Sequence, residues 1–383
     1  NLTELFMSIF RMGQRITGSD SEESERFWDN ALKRLINRVI DLIKLSGEQM
    51  TIENMVNVVS SMPLNMDMVA EIRDKGEIDE NLDEKSKQRA KKEWSEFLES
   101  NLCVKCIEKA HDTLTSDKTR DFEMLFNYFF KDFPLLDEKA QSTIKEMFLG
   151  FAEPFLSGVL RKHFSSGVNV KPEDSFNGKI IILDFSVMEY LVSGIYAQCL
   201  FKQLWQQSIQ QRIIDEKSKP AFLWIDESHF FINERDTIFQ TTARSSMACT
   251  VLLTQNISNY YMQIGGKNVK AKVDSLLGNL GTLIFHNNSD AVTNEWASKL
   301  IGNTIQNTKH SSQNQGFLNL NFQQTDGITP QLLPQVHPKY FTTLLSGGLE
   351  NDCIVEAYIF ITGKKWPNDK NYSEIIFKQF KNK

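Results

Sequence analysis

The stretch Ala221-Phe-Leu-Trp-Ile-Asp-Glu-Ser-His-Phe-Phe231 places two carboxylates directly after a run of apolar residues. The run Ala221–Ile225 has the length and the aromatic and aliphatic character of a buried strand. Asp226 and Glu227 mark the point where that strand would leave the core. Their role depends on the fold in which the strand lies.

The surrounding sequence predicts an α/β fold with a mainly parallel sheet. Runs of apolar residues at 179–185, 221–225, 249–253 and 282–285 are typical of strands that are covered on both faces. Helical patterns near 191–210, 234–246, 268–277 and 290–301 lie between or beside them. Strands that alternate with helices in this way imply right-handed βαβ crossovers. A last run at 354–360 alternates more, and we expect an antiparallel edge strand there.

The first part of the chain predicts helices only. A capping box at 20–23 precedes apolar residues at helical spacing from Phe27 to Ile43. From 51 to 164 the pattern stays helical, with no convincing strand. The aromatic cluster at 126–133 is interpreted as core, and a base-stacking platform is the alternative.

The predicted sheet places the carboxylate pair at a ligand crevice, because ligands of open parallel sheets bind at the carboxyl ends of the strands. Four hydrophobic residues followed by Asp226-Glu227 form a Walker B pattern, in which the Asp helps to hold magnesium and the Glu polarises the attacking water. The alternative is an ordinary strand that ends in an acidic helix cap. Gln255 follows the next strand and would orient water against a terminal phosphate.

Arg244 precedes the Gln255 strand, at the end of the sheet away from the crevice of its own chain. An arginine in that place can act as a finger in the nucleotide site of a neighbouring subunit. The alternative is a surface salt bridge.

A phosphate-binding loop is missing from these residues. Such a loop reads Gly-x4-Gly-Lys-Ser/Thr after a strand, because backbone amides, the lysine and the hydroxyl each contact the triphosphate–magnesium unit. Gly265-Gly-Lys-Asn268 does not qualify, because Tyr261 replaces the first glycine, Asn268 replaces the hydroxyl residue and a helix precedes it. Gly178-Lys179 begins a strand pattern instead of ending one.

Composition limits the class of protein. The 43 basic and 49 acidic residues give a net charge of −6, so any site for a polyanion has to be local. Five scattered cysteines are typical of reduced thiols in a cytoplasmic compartment. No apolar run reaches the roughly 18 residues that a membrane-spanning helix needs.

Taken together, successive segments of the sequence resemble the coupling proteins of type IV secretion and bacterial conjugation, the TraG/TraD type. The resemblance rests on the order of the segments through most of the chain. They are Phe27-Trp28 with its helix, the helical insertion, Gly178-Lys-Ile-Ile-Ile-Leu-Asp184, the Walker B stretch, ARSSMACTVLLTQN, DSLLGNLGTLIFH, SDAVTNEWASKLIG and FTTLLSGGLENDCIVEAYIF.

The resemblance implies a RecA-like ATPase with an inserted all-α domain, which forms a hexamer on the cytoplasmic face of the bacterial inner membrane. Such motors use ATP and magnesium to move a relaxase–DNA complex or effector proteins into a secretion channel. By position, Asp226 matches the magnesium-holding Asp, Glu227 the catalytic Glu, Gln255 the phosphate-sensing Gln and Arg244 the arginine of a family motif.

The domains expected from the resemblance are 1–48 as the beginning of the motor domain, 49–172 as the inserted all-α domain, and 173–383 as the motor core. Family members also carry membrane helices and a phosphate-binding loop, both expected upstream of Asn1. We therefore expect this chain alone to be inactive as an ATPase. DNA contacts are expected mainly to backbone phosphates.

Two other classes of protein fit parts of the same sequence pattern. A secretion-channel ATPase or double-stranded DNA pump would share the Walker B pattern and the glutamine. A non-enzymatic adaptor with a RecA-like fold would explain the missing loop. The polar tract from His310 to Gly316, with Asn319, Asn321, Gln323 and Gln324, predicts a loop, with a channel-facing role as the alternative to a plain connection.

Overall fold

The computed structural model describes residues 2–17, 24–77, 83–116, 118–164, 169–265, 268–314 and 323–379. The chain divides into two compact units, Asn1–Ile209 and Gln210–Lys383. No helix in these described ranges is both long enough and apolar enough to cross a membrane.

All the regular elements among the described residues of the first unit are helices, as the sequence predicts up to residue 164. Its helices are α1 Leu2–Thr17, α2 Ser24–Leu45, α3 Ile52–Ser61, α4 Met66–Gly76, α5 Glu84–Ser100, α6 Leu102–Asp112, α7 Thr119–Asn127, α8 Glu138–Leu156, α9 Gly158–Phe164 and α10 Val187–Gln211, whose last residues belong to the second unit. Polar residues begin several of them. Thr51, Asn65, Asn101 and Asp137 each accept a hydrogen bond from a backbone N–H of the first helical turn, which satisfies a donor that the helix itself leaves unpaired.

One hydrophobic core runs through this unit. The helical spacing in α2 buries Leu35, Ile36 and Val39 completely, as the pattern predicts. The aromatic cluster at 126–133 lies mostly in the same core, since Phe129 and Phe133 are fully buried. The interpretation of this cluster as core is confirmed for these residues.

The predicted strand at 179–185 is wrong. These residues form no strand, and the side chains of Ile180 and Ile182 are 88% and 83% exposed. A strand forms only when a neighbour completes its hydrogen-bond ladder, and none of the described residues pairs with this segment. Apolar composition alone is therefore an incomplete signal for a strand.

The second unit contains the strands β1 Ala221–Ile225, β2 Ala248–Leu252, β3 Thr282–Phe285, β4 Asn303–Asn314, β5 Gln323–Pro334, β6 Ile354–Ile361 and β7 Tyr372–Lys378. Helices α11 Glu234–Ala243, α12 Ile257–Ile264, α13 Val269–Gly278 and α14 Ala291–Ile301 lie between them in the sequence. β1 and β2 are parallel, with Ala221 opposite Ala248 and Ile225 opposite Leu252. The helix between them, α11, makes this pair the predicted βαβ crossover.

Two predictions about the remaining strands need correction. The sequence predicts β3 in the parallel sheet, but this strand pairs antiparallel to β6. β6 is antiparallel as expected, yet it lies between β3 and β7 instead of at an edge. The sequence does not show which runs pair, because pairing joins residues that are distant along the chain.

The polar tract also differs from its prediction. Residues 310–314 lie in β4 and Gln323 and Gln324 lie in β5, and the two strands form an antiparallel hairpin. The rest of the tract, including Asn319 and Asn321, lies outside the described residues. Cross-strand hydrogen bonds hold a polar segment in a ribbon that its composition does not indicate.

Small clusters, rather than one core, stabilise the second unit. Tyr260, Ile264 and Leu276 belong to a cluster between α12 and α13, and Phe285, Ile301 and Phe341 belong to another beside β3. β1 is covered on one face only. Its ends, Ala221 and Ile225, are buried, whereas Phe222 and Trp224 are 58% and 67% exposed, so the expectation that both faces are covered is wrong for this strand.

Candidate functional site

The carboxyl ends of β1 and β2 bring the predicted crevice residues together. The ladder continues past the last paired residues, because the Leu253 amide donates to the Ile225 carbonyl at 2.9 Å and the Ser228 amide donates to the Leu253 carbonyl at 2.8 Å. Asp226 and Glu227 lie within this extension on one strand. Thr254 and Gln255 follow it on the other. The parallel register therefore places these side chains at the same edge of the sheet.

Glu227 is the centre of the cluster. Its backbone is left-handed, with φ 45° and ψ 45°, an uncommon conformation for a residue with a Cβ. The Gln255 amide Nε2 donates a 3.2 Å hydrogen bond to its Oε1. Its Oε2 is shielded from solvent and accepts no hydrogen bond. One oxygen is therefore held and the other is a secluded acceptor without a donor.

Asp226 has a more open environment. Its side chain is exposed, and its Oδ1 accepts a 2.9 Å hydrogen bond from the backbone N–H of Glu227. Two adjacent carboxylates supply hard oxygen ligands, and magnesium is usually bound by one or two carboxylates together with substrate phosphates. No group of three or more His, Cys, Asp or Glu side chains that could hold a metal occurs among the described residues. The donor set fits magnesium carried on a nucleotide better than an all-protein metal cage.

His229 is a member of the cluster that the sequence pattern did not predict. It is buried, and its Nδ1 lies 3.4 Å from Glu227 Oε2 and 3.3 Å from Thr254 Oγ1. Burial lowers the pKa of His229 below its usual value, and the negative charge of Glu227 opposes this shift. The spacing Asp226-Glu227-Ser228-His229 is the available signal, since a tight turn returns the third residue after the Asp toward the carboxylates.

Hydrogen bonds around Ser228 fix that turn. The Ser228 hydroxyl donates to the Leu253 carbonyl at 2.8 Å and lies 2.6 Å from the Tyr260 hydroxyl. On the β2 side, Asn288 Nδ2 donates to the Gln255 carbonyl at 2.6 Å. The backbone that carries Glu227, His229 and Gln255 is therefore held from both strands and from the segment after β3.

Arg244 is not part of this cluster. It caps the end of α11, its side chain is exposed, and it lies four residues before β2, whereas Gln255 lies three residues after β2. The arginine and the glutamine therefore occupy opposite ends of the same strand. This is the position expected from the sequence.

Comparison with known proteins identifies relatives. A family model described as "TraM recognition site of TraD and TraG" matches residues 220–335, which include the carboxylate cluster. No sequence among the curated proteins matches the chain.

Solved structures show the same fold over nearly the whole chain. An unbound structure described as "Bacterial conjugative coupling protein TrwBdeltaN70" matches with a TM-score of 0.51 and 13% identity, over 97% of this chain and 68% of that one. "Plasmid coupling protein TrwB in complex with the non-hydrolysable GTP analogue GDPNP" matches with a TM-score of 0.51 and 12% identity, over 96% and 67%. At this identity the structural matches carry the fold alone, and they confirm the predicted RecA-like α/β class. The family match over 220–335 and the shared fold both support the predicted resemblance to the TraG/TraD-type conjugative coupling proteins.

Proposed function

We propose that this chain is the motor part of a coupling ATPase that recruits and helps to translocate a relaxase–DNA complex or protein effectors during conjugative transfer. The observation that carries the proposal is the arrangement of Asp226, Glu227 and Gln255 at the carboxyl ends of two parallel strands, with Gln255 hydrogen-bonded to Glu227. This is the edge of a sheet at which nucleotides bind in open α/β folds. The family match over residues 220–335 supports a role in conjugative transfer.

Asp226, Glu227 and Gln255 would each have a separate role in hydrolysis. Asp226 would hold magnesium on the nucleotide, and the bound ion would neutralise charge on the phosphates. Glu227 would accept the proton of the attacking water, since its carboxylate lies at the carboxyl ends of two parallel strands and its side chain is 43% exposed. Gln255 would orient that water or sense the terminal phosphate, and it also donates a hydrogen bond to Glu227 Oε1.

ATP is the proposed nucleotide. The matched structure of TrwB with a GTP analogue supports a nucleotide site in this fold. Residues 1–383 contain no Gly-x4-Gly-Lys-Ser/Thr sequence, so we expect them alone to bind ATP–magnesium weakly and to hydrolyse it at background rate. A micromolar dissociation constant in calorimetric titration of these residues would contradict this expectation and indicate another way of binding phosphate.

Domain organisation and assembly belong to the same proposal. We assign 1–48 and 173–383 to the motor domain and 49–172 to an inserted all-α domain. The complete protein would form a hexamer at the cytoplasmic face of the inner membrane and would contact DNA through backbone phosphates. The family model over 220–335 is described by a partner-recognition site of TraD and TraG, which supports partner recognition by this segment.

The test uses the full-length protein with matched variants at the two carboxylates. Glu227→Gln keeps the shape of the side chain but removes the base, so we expect ATP binding to persist while hydrolysis falls by roughly 10²-fold or more. Asp226→Asn should instead weaken binding that depends on magnesium. If both variants hydrolyse ATP as the parent does, the assigned site is wrong.

A second test addresses Arg244, which would act in the nucleotide site of the neighbouring subunit, where arginine fingers raise rates by about 10³-fold or more. A subunit with Glu227→Gln still supplies Arg244 to the site of its neighbour, and a subunit with Arg244→Ala still has Glu227 in its own site. Mixed assemblies of the two inactive variants should therefore recover part of the activity. Mixed rings that verifiably contain both variants and stay inactive would contradict a role in trans.

A further inference from the structure

His229 lies beside Oε2 of the Glu227 carboxylate, the oxygen that accepts no hydrogen bond. Its Nδ1 is the group at 3.4 Å from Glu227 Oε2, while Gln255 already donates to Oε1. The carboxylate is therefore flanked by one nitrogen group on each oxygen. Of these two groups, the amide of Gln255 is exposed and the imidazole of His229 is buried.

The imidazole is held firmly enough to position another group. It sits in the turn Ser228–Phe230, which is tied to β2 and to α12 through Ser228. The ring packs against Phe230, with the two ring centroids 4.2 Å apart. A buried ring in a fixed turn places Nδ1 with little freedom.

Nδ1 also faces a second group, the Thr254 hydroxyl, at 3.3 Å. A ring nitrogen of neutral histidine carries either a proton or a lone pair. With the lone pair on Nδ1, the hydroxyl can donate to it and Oε2 of Glu227 has no donor. With the proton on Nδ1, the ring can donate to Oε2 and fix the carboxylate.

We propose that His229 is a positioning residue, which uses its Nδ1–H group to orient the Glu227 carboxylate for its role as the base in ATP hydrolysis. Thr254, next to Gln255 on the neighbouring strand, competes for the same nitrogen. This inference rests on the proposed function, since it assumes that Glu227 acts as the base. It assigns to His229 no contact with nucleotide or water.

The geometry leads to a matched pair of substitutions. In His229→Asn the amide nitrogen is as many bonds from Cβ as Nδ1 is, so it can still donate to Glu227. In His229→Gln the amide nitrogen takes the place of Nε2 and leaves the position of Nδ1 without a donor. Both variants keep a polar, uncharged side chain in the turn.

We expect His229→Gln in the full-length protein to lower kcat for ATP by about tenfold or more, because misplacing a general base forfeits part of its contribution of roughly 10²- to 10⁴-fold. His229→Asn should retain kcat within about threefold on the same argument. Affinity for a fluorescent non-hydrolysable ATP analogue should be unchanged in both variants. Equal losses of kcat in the two variants, no loss in either, or a parallel loss of affinity would overturn the inference.

A double variant separates positioning from a structural role. In the Glu227→Gln background there is no base left to orient, so adding His229→Gln should cause no further loss of kcat. A further loss of the same size as in the single variant would show that His229 acts independently of Glu227. If Glu227→Gln itself hydrolyses ATP normally, the proposed function fails; if it is inactive while His229→Gln is normal, only the inference fails.

Discussion

The two units bury their apolar residues in different ways. The helices of the first unit close around one core, in which Phe129 and Phe133 have no exposed surface. The second unit distributes its described strands over three sheets and leaves Phe222 and Trp224 of β1 largely exposed. A helix satisfies its backbone within its own segment, whereas a strand depends on neighbours for hydrogen bonds and for cover. The described residues of the helical unit therefore bury their apolar side chains more fully than those of the sheet unit.

The largest expected effect is the truncation of a core aromatic in the first unit. Phe129→Ala removes a fully buried ring, and such changes lower the free energy of unfolding by about 3–5 kcal/mol through lost burial and a residual cavity. Native-state hydrogen exchange, read on amides of α2 and α8, measures this change for the first unit separately. A loss below about 1 kcal/mol would show that the helical core is looser than its burial indicates.

A smaller effect is expected at Gln141, a buried polar residue of the same unit. Its Nε2 donates to the carbonyls of Leu64, Phe133 and Leu136 at 2.8, 3.0 and 3.0 Å. Gln141→Met keeps the volume and removes the donors, so we expect a loss of about 1–3 kcal/mol in the free energy of unfolding, mainly from the carbonyls of Leu64 and Leu136 that lose their donor. Gln210→Met is the control, because Gln210 is exposed and makes its 2.7 Å bond to Thr242 at the surface.

Acid should distinguish the two units through the buried His229. Burial lowers the pKa of His229 from its ordinary value of 6.5. Near and below pH 6.5 the unfolded chain therefore binds a proton at this residue more readily than the folded second unit does. The free energy of unfolding of that unit accordingly decreases as the pH falls below about 6.5. In the first unit the lowered pKa of Glu48, which is hydrogen-bonded to Lys109, contributes stability that is lost only below its usual value of 4.5. Protection factors from hydrogen exchange, corrected for the intrinsic exchange rate at each pH, should therefore fall first in the second unit. His229→Asn should remove this early change, and an early change that persists in the variant would have another cause.

The smallest effect is expected for the same chemical change on the exposed face of β1. Phe222→Ala removes a ring that is 58% exposed, so the free energy of unfolding should change by no more than about 0.5–1 kcal/mol. Chemical denaturation followed by hydrogen exchange in β2 measures it against Phe129→Ala. A large loss would show that Phe222 is covered in solution, for example by a part of the protein outside these residues, and would remove the contrast between the units.

Much of the site follows from sequence, but part of it does not. The apolar run before Asp226 and Glu227 and the next run before Gln255 predict two neighbouring parallel strands, and the structure brings Glu227 and Gln255 into hydrogen-bond contact. The roles of these residues, and that of Arg244, stay predictions. The approach of His229 to Glu227 depends on a left-handed residue and on the ties of Ser228 to β2, which no spacing rule specifies.

The sequence by itself determined the features that depend on neighbours along the chain. These are the amphipathic helices of the first unit, the carboxylate pair at the end of β1, and the segments that resemble the TraG/TraD-type coupling proteins. Only the tertiary structure decided which strands pair, that residues 179–185 form no strand, and that β3 lies antiparallel to β6. The physical reason is the range of the interactions: helical hydrogen bonds join residues four positions apart, whereas a strand is completed by residues far away in the sequence.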